Sequence, residues 1–111
     1  MSAALRALAA TLILELPVVA LSFPGQRGRL TLVALIANVG TNLTLNVLLP
    51  GAPGLGGHHV LVGEALAVVG EALAYAAASR PHDLGRSFIV SGASNALSYE
   101  LGGLIAAWLP A

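Results

Sequence analysis

Residues 71–98 read EALAYAAASRPHDLGRSFIVSGASNALS, and residues 15–41 read ELPVVALSFPGQRGRLTLVALIANVGT. With one single-residue gap the two stretches align on their rare polar letters. Glu15 falls on Glu71, Ser22 on Ser79, Pro24 on Pro81, Gly28 on Gly85, Arg29 on Arg86 and Asn38 on Asn95. Thr41 meets Ser98, another hydroxyl. Each stretch is an apolar run, a joint rich in Pro and Gly, and a second apolar run. Pro and Gly stop helices and make turns, so each stretch predicts a helical hairpin. Two copies predict a four-helix bundle, because short joints make consecutive helices antiparallel neighbours.

Apolar residues make up 57% of the 111-residue chain and charged residues only 9%, with a mean hydropathy of +0.86. Soluble domains carry about 25% charged residues. The expected class is therefore an all-α integral membrane protein, one four-helix domain over 1–111. Its first repeat half covers 1–50, an outer Gly/Pro loop covers 50–58, and the second half covers 59–111. Four stretches have the roughly 20 apolar residues a span requires: about Ala3 to Ser22, Leu30 to Leu49, His59 to Ala78 and Ser87 to Leu109. Both halves run in the same direction, which makes a parallel repeat about an axis along the membrane normal. The first 22 residues also have the Arg, apolar stretch and small-residue ending of a signal peptide. The hairpin pairing requires that they be retained.

All five basic residues are arginines. Arg27, Arg29, Arg80 and Arg86 belong to the first and third connections, whereas only Arg6 lies at the other side. Basic residues favour the cytoplasmic side. The expectation is a multi-pass protein of the cell (inner) membrane with both termini outside. Zero net charge argues against a nucleic-acid partner. The lack of cysteine removes thiolate metal sites and disulfides. The expected surroundings are the lipid bilayer and further copies of the chain or another membrane subunit.

A carboxylate at the centre of a membrane helix costs about 2.5–3.5 kcal/mol, so such residues are functional candidates. Glu15, Asn38, Glu71 and Asn95 each lie about seven or eight residues from the arginine-side end of their helix, roughly 11 Å in at 1.5 Å per residue. They are expected to converge, with Thr41 and Ser98 one turn further out on the asparagine faces. Glu64, in GEALA at 63–67, repeats seven residues later as Glu71 but has no mate in the other half. It reads as a second station on an outer path together with Asn42, with His58 and His59 at the mouth. Asn46 continues that stripe. Ser91 and Ser94 read as interhelical hydrogen-bonding residues. Pro17 would free the Ile13 carbonyl near the site.

Carboxylates, amides and hydroxyls are oxygen donors, the ligands preferred by hard cations such as Na⁺, Ca²⁺, Mg²⁺ or Mn²⁺. Glu15 and Glu71 would be the charged ligands of such an ion, or the holders of one shared proton. No other cofactor is expected. The chain thus reads as a small transport protein binding a hard cation or a proton. An accessory subunit of a larger membrane complex is the alternative, with Glu100 and the small-residue faces as docking surfaces. An intramembrane enzyme is not expected, because no nucleophile or catalytic histidine lies at depth.

Overall fold

A computed structural model of the chain describes residues 2–45 and 58–110. The readings of Asn46, of the 50–58 loop apart from His58, and of the His59 side chain lie outside the described residues. The fold is an all-α four-helix bundle of α1 (Ala3–Ser22), α2 (Arg27–Leu43), α3 (His59–Ala78) and α4 (Leu84–Trp108). Each helix packs on the next and α4 packs back on α1, closing a ring.

Local chemistry sets the boundaries. Ser2 caps α1, its hydroxyl accepting from the Leu5 amide at 3.2 Å. The helix stops in a tight turn where the Gln26 amide donates to the Phe23 carbonyl at 3.1 Å. Pro24 and Gly25 are its central residues. Gly25 has φ +80, the left-handed conformation that the third position of such a turn requires and that glycine adopts without a Cβ clash. The second hairpin turns differently, through a cis Arg80–Pro81 peptide, and the Asp83 carboxylate caps α4 by accepting from the Arg86 amide at 2.9 Å.

The arginines correct one expectation. Arg27, Arg29 and Arg86 were placed in connections, but they lie in the first turns of α2 and α4. The turn and the Asp83 cap end the joints sooner than the limits of the apolar runs imply. A cation in a first turn opposes the helix dipole. Two of these arginines instead reach across to the ends of neighbouring helices, where the dipole favours them. Arg29 donates to the Ala78 carbonyl at the end of α3 (3.4 Å), and Arg86 donates to the Ser22 carbonyl at the end of α1 (3.1 Å). Gln26 and the Arg80 amide join the same two turns. Arg29→Ala and Arg86→Ala are each expected to lower unfolding stability by ~0.3–1 kcal/mol, with near-additive loss in the double variant, measured by denaturant titration.

The interior has two layers. At the arginine end Val19, Phe23, Leu30, Ala34, Tyr75 and Val90 form an apolar cluster. Phe23 meets the Tyr75 ring edge-on, centroids 6.3 Å apart. Beyond it the bundle is polar inside: Glu15, Asn38, Glu71, Ser91, Ser94 and Asn95 are all buried. The outside is apolar, with Leu21, Ile36, Leu61, Ile89 and Leu104 each more than 60% exposed. This reverses the usual arrangement, in which buried polar groups are the exception.

Two helices among the described residues, α1 and the Leu61–Ala78 part of α3, are long and apolar enough to cross a membrane by length and composition. The apolar runs of the sequence predict four. The described α2 has 17 residues, short of a span, and α4 dilutes its apolar residues with Arg86, Asn95, Glu100 and several serines. Pro17 and Ile13 both face outward, so any carbonyl freed by the proline points away from the polar interior.

Candidate functional site

The polar layer is assembled around Glu71, which is fully buried. Thr41 of α2 donates its hydroxyl to Glu71 Oε2 at 2.8 Å, and Asn95 of α4 donates its amide nitrogen to Oε1 at 2.7 Å. The Glu15 carboxyl, on α1, adjoins that of Glu71 and lies beside Ser94 and Ser98. All four helices therefore contribute. Thr41 approaches the glutamate of the other half, and Ser98 does the same for Glu15. The asparagines are held alike: Asn38 Nδ2 donates to the Ala34 carbonyl and Asn95 Nδ2 to the Ser91 carbonyl, both at 2.8 Å. These bonds to carbonyls one turn back lock the side chains against their own helices.

The two halves then part. Asn95 reaches Glu71, but Glu15 Oε1 and Asn38 Oδ1 are buried with no hydrogen-bond partner. Both residues line a small cavity of about 40 Å³, together with Thr11, Thr41, Glu64 and Ser98. By the usual measure a water needs about 10–15 Å³ of such space, so the cavity has room for an ion with about one or two waters. A second cavity, of about 190 Å³, shares Thr11, Asn42, Glu64 and Ser98 and runs on past Gly102 and Gly103. It leads to the end of the bundle that carries Arg6, opposite the other four arginines. Toward the arginine end, the Tyr75 and Phe23 layer closes the site.

Among the described residues no Arg or His side chain lines either cavity. Two adjoining buried carboxylates with no cationic neighbour carry a charge that the interior cannot hold uncompensated. A proton or a cation must balance it. The donor geometry narrows which. Both Glu71 oxygens are already engaged, and Asn95 turns its nitrogen, not its oxygen, toward the carboxylate. Among the described residues no group of three or more His, Asp or Glu is placed to hold a metal ion. Ca²⁺ takes six to eight oxygens and Mg²⁺ six. The unpartnered buried oxygens, Glu15 Oε1 and Asn38 Oδ1, together with the Glu64 carboxylate on the same cavity, fall short of the six to eight ligands of these divalent cations and suit a proton or a monovalent ion with water better.

Glu64 is half-buried and lines both cavities, and Asn42 donates to the Thr11 hydroxyl at 3.4 Å. His58 and His82 are exposed at opposite ends. Three residues of the layer escaped the sequence reading. Thr11 gathers Asn42 and Ser98, the latter at 3.2 Å. Ser94, read as a helix-packing residue, lies beside Glu15. Tyr75 is fully buried, and its hydroxyl faces Asn38 without bonding it. Thr11 stands four residues before Glu15, and Tyr75 four after Glu71. Helical spacing alone could have found both. Ser91 does join helices, donating to the Val68 carbonyl at 2.7 Å.

No protein-family model, curated protein or solved structure matches the chain.

Proposed function

We propose that this is a four-span membrane transport protein whose Glu15, Asn38, Thr41, Glu71, Asn95 and Ser98 cluster binds a proton or a monovalent hard cation, sodium first among them. The observation that carries the reading is the adjoining Glu15–Glu71 carboxyl pair. Among the described residues it is buried without a basic partner, beside a cavity lined by the two residues that carry unpartnered acceptor oxygens. Membrane residence is supported by the reversed burial pattern, polar inside and leucine outside. Polar side chains in a membrane bundle face its interior for the same reason that they face outward in water. An origin by hairpin duplication is supported by the reciprocal reach of Arg29 and Arg86 and by the matched holding of Asn38 and Asn95.

The test is flux in proteoliposomes containing the purified chain alone. Sodium or proton movement down an imposed gradient is expected, along with thermal stabilisation by Na⁺ that exceeds that by Ca²⁺, Mg²⁺ or Mn²⁺ at equal ionic strength. Absence of flux from the chain alone, restored by a co-expressed partner, would favour the accessory-subunit reading. Orientation is tested separately. Gly28 and Gly85 are exposed, and an added Cβ meets nothing closer than 3.8 Å at either. Cysteines placed there should react with an impermeant maleimide only from the cytoplasm, and labelling from outside would reverse the proposed topology.

A further inference from the structure

Between α3 and α4 a lateral cavity of about 570 Å³ opens on the side of the bundle. It is distinct from the interior cavity, although Glu64 and Asn95 line both. Leu61 and Tyr99 form its rim, at 71% and 64% exposure, and Val68, Gly92 and Ala96 form its walls. Its charged groups are both carboxylates, Glu64 and Glu100. The ion pair found among the described residues, Asp83 with Arg86, lies at the far end of the bundle, so neither glutamate has a basic partner among the described residues.

Size, wall chemistry and charge select an occupant. Small-molecule sites run to about 300–1,000 Å³, are mostly apolar and carry a few oriented polar groups. A bare inorganic ion would leave most of this space and its apolar walls unused. An anion would meet two carboxylates. A neutral apolar molecule would leave both carboxylates beside it uncompensated. A cation with an apolar body satisfies every wall: charge at Glu64 and Glu100, hydrocarbon against Val68 and Ala96, and the Tyr99 ring available to a cation's face.

We infer that the α3–α4 cavity is a binding site for a monovalent organic ammonium with an apolar body, entering sideways from the bilayer; the lateral entry rests on the membrane reading above.

Equilibrium dialysis of phenyltrimethylammonium against nanodiscs with and without the full chain tests this. The neutral isostere tert-butylbenzene and the anion benzenesulfonate serve as controls. Saturable binding of the ammonium alone is expected. Glu64→Gln and Glu100→Gln should each weaken it about threefold to fivefold, and the double variant more than about tenfold. Gly92 supplies a second probe. A Cβ added there meets nothing within 4 Å, so Gly92→Leu grows into the cavity without displacing backbone, and leucine is a better helix former than glycine. It should abolish ammonium binding while sodium stabilisation persists. Binding that survives Gly92→Leu or the double neutralisation overturns the assignment, as does equal saturable binding of the neutral isostere. So does a co-purifying membrane protein that places a basic side chain in the cavity. Loss of ammonium binding at Gly92 with no sodium response at Glu71 would sink the interior site and leave this one standing. The converse pattern would sink this one alone.

Discussion

Glu71→Gln is expected to reduce sodium or proton flux to background while the bundle stays folded. Glu71 is the hub of the polar layer, fully buried and accepting from Thr41 and Asn95. Glutamine keeps its size. Its carbonyl oxygen can take the Asn95 bond, and its amide can donate to the Thr41 hydroxyl, which accepts as readily as it donates. What disappears is one carboxylate of an adjoining pair, and with it half of the negative charge that a bound proton or cation balances. Replacing a buried charge by a neutral hydrogen-bonding isostere removes a desolvation cost, so the thermal midpoint should hold or rise. Glu15→Gln should behave in the same way, because it removes the other member of the pair. Glu64→Gln should be milder, about a threefold to fivefold loss of apparent affinity, since Glu64 is half-buried on the outer approach and contributes by attraction at a distance. Flux and thermal stability across the three variants check this. An equal or larger defect in Glu64→Gln would make the GEALA heptad the functional unit and would refute the pair.

Tyr75 should separate packing from hydrogen bonding with opposite signs. Its ring is fully buried and packs edge-on against Phe23 beneath the carboxyl pair. Tyr75→Ala empties that position, and large-to-small changes of this kind cost about 3–5 kcal/mol. It also opens the layer that closes the site toward the arginine end, so leak of the bound ion in that direction should rise. Tyr75→Phe keeps the ring and deletes a hydroxyl that meets no partner. A buried unsatisfied group destabilises, so this change should be neutral or stabilising by up to about 1 kcal/mol. Unfolding titrations of the two variants decide it. A cost of about 2 kcal/mol for Tyr75→Phe would mean that the hydroxyl bonds Asn38, and the count of free oxygens in the cavity would drop by one.

These two residues mark the boundary between what could be read early and what could not. The four helices were legible because apolar runs and Pro/Gly joints are local signals. Ser22 and Ala78 end α1 and α3 where the composition changes. Glu15, Asn38, Glu71 and Asn95 stood out because an ionisable or amide side chain in an apolar run needs a partner, and matching offsets in two halves suggested which. Thr11 and Tyr75 were missed for the same reason. Four residues from their glutamates, the other half carries Ala67 and Val19, so a search for matched pairs passes over them. The arginines fall in the joints when apolar runs and Pro/Gly breakers alone set the boundaries; the helix starts depend on a turn and a cap.

The sequence by itself determined a chain of four helices, too apolar for an ordinary soluble domain, with its polar letters confined to few positions. Those properties follow from apolar runs and turn chemistry, which act over a few residues. Only the tertiary structure decided which oxygens remain free. Asn95 spends its amide on Glu71, whereas Asn38 and Glu15, which line a cavity, keep unpartnered acceptors. Side-chain direction across helices depends on rotation and packing of four elements at once, and no spacing within one helix contains it. The lateral cavity is likewise a tertiary product. Glu64 and Glu100 lie 36 residues apart in the chain and belong to one site because α3 and α4 pack side by side.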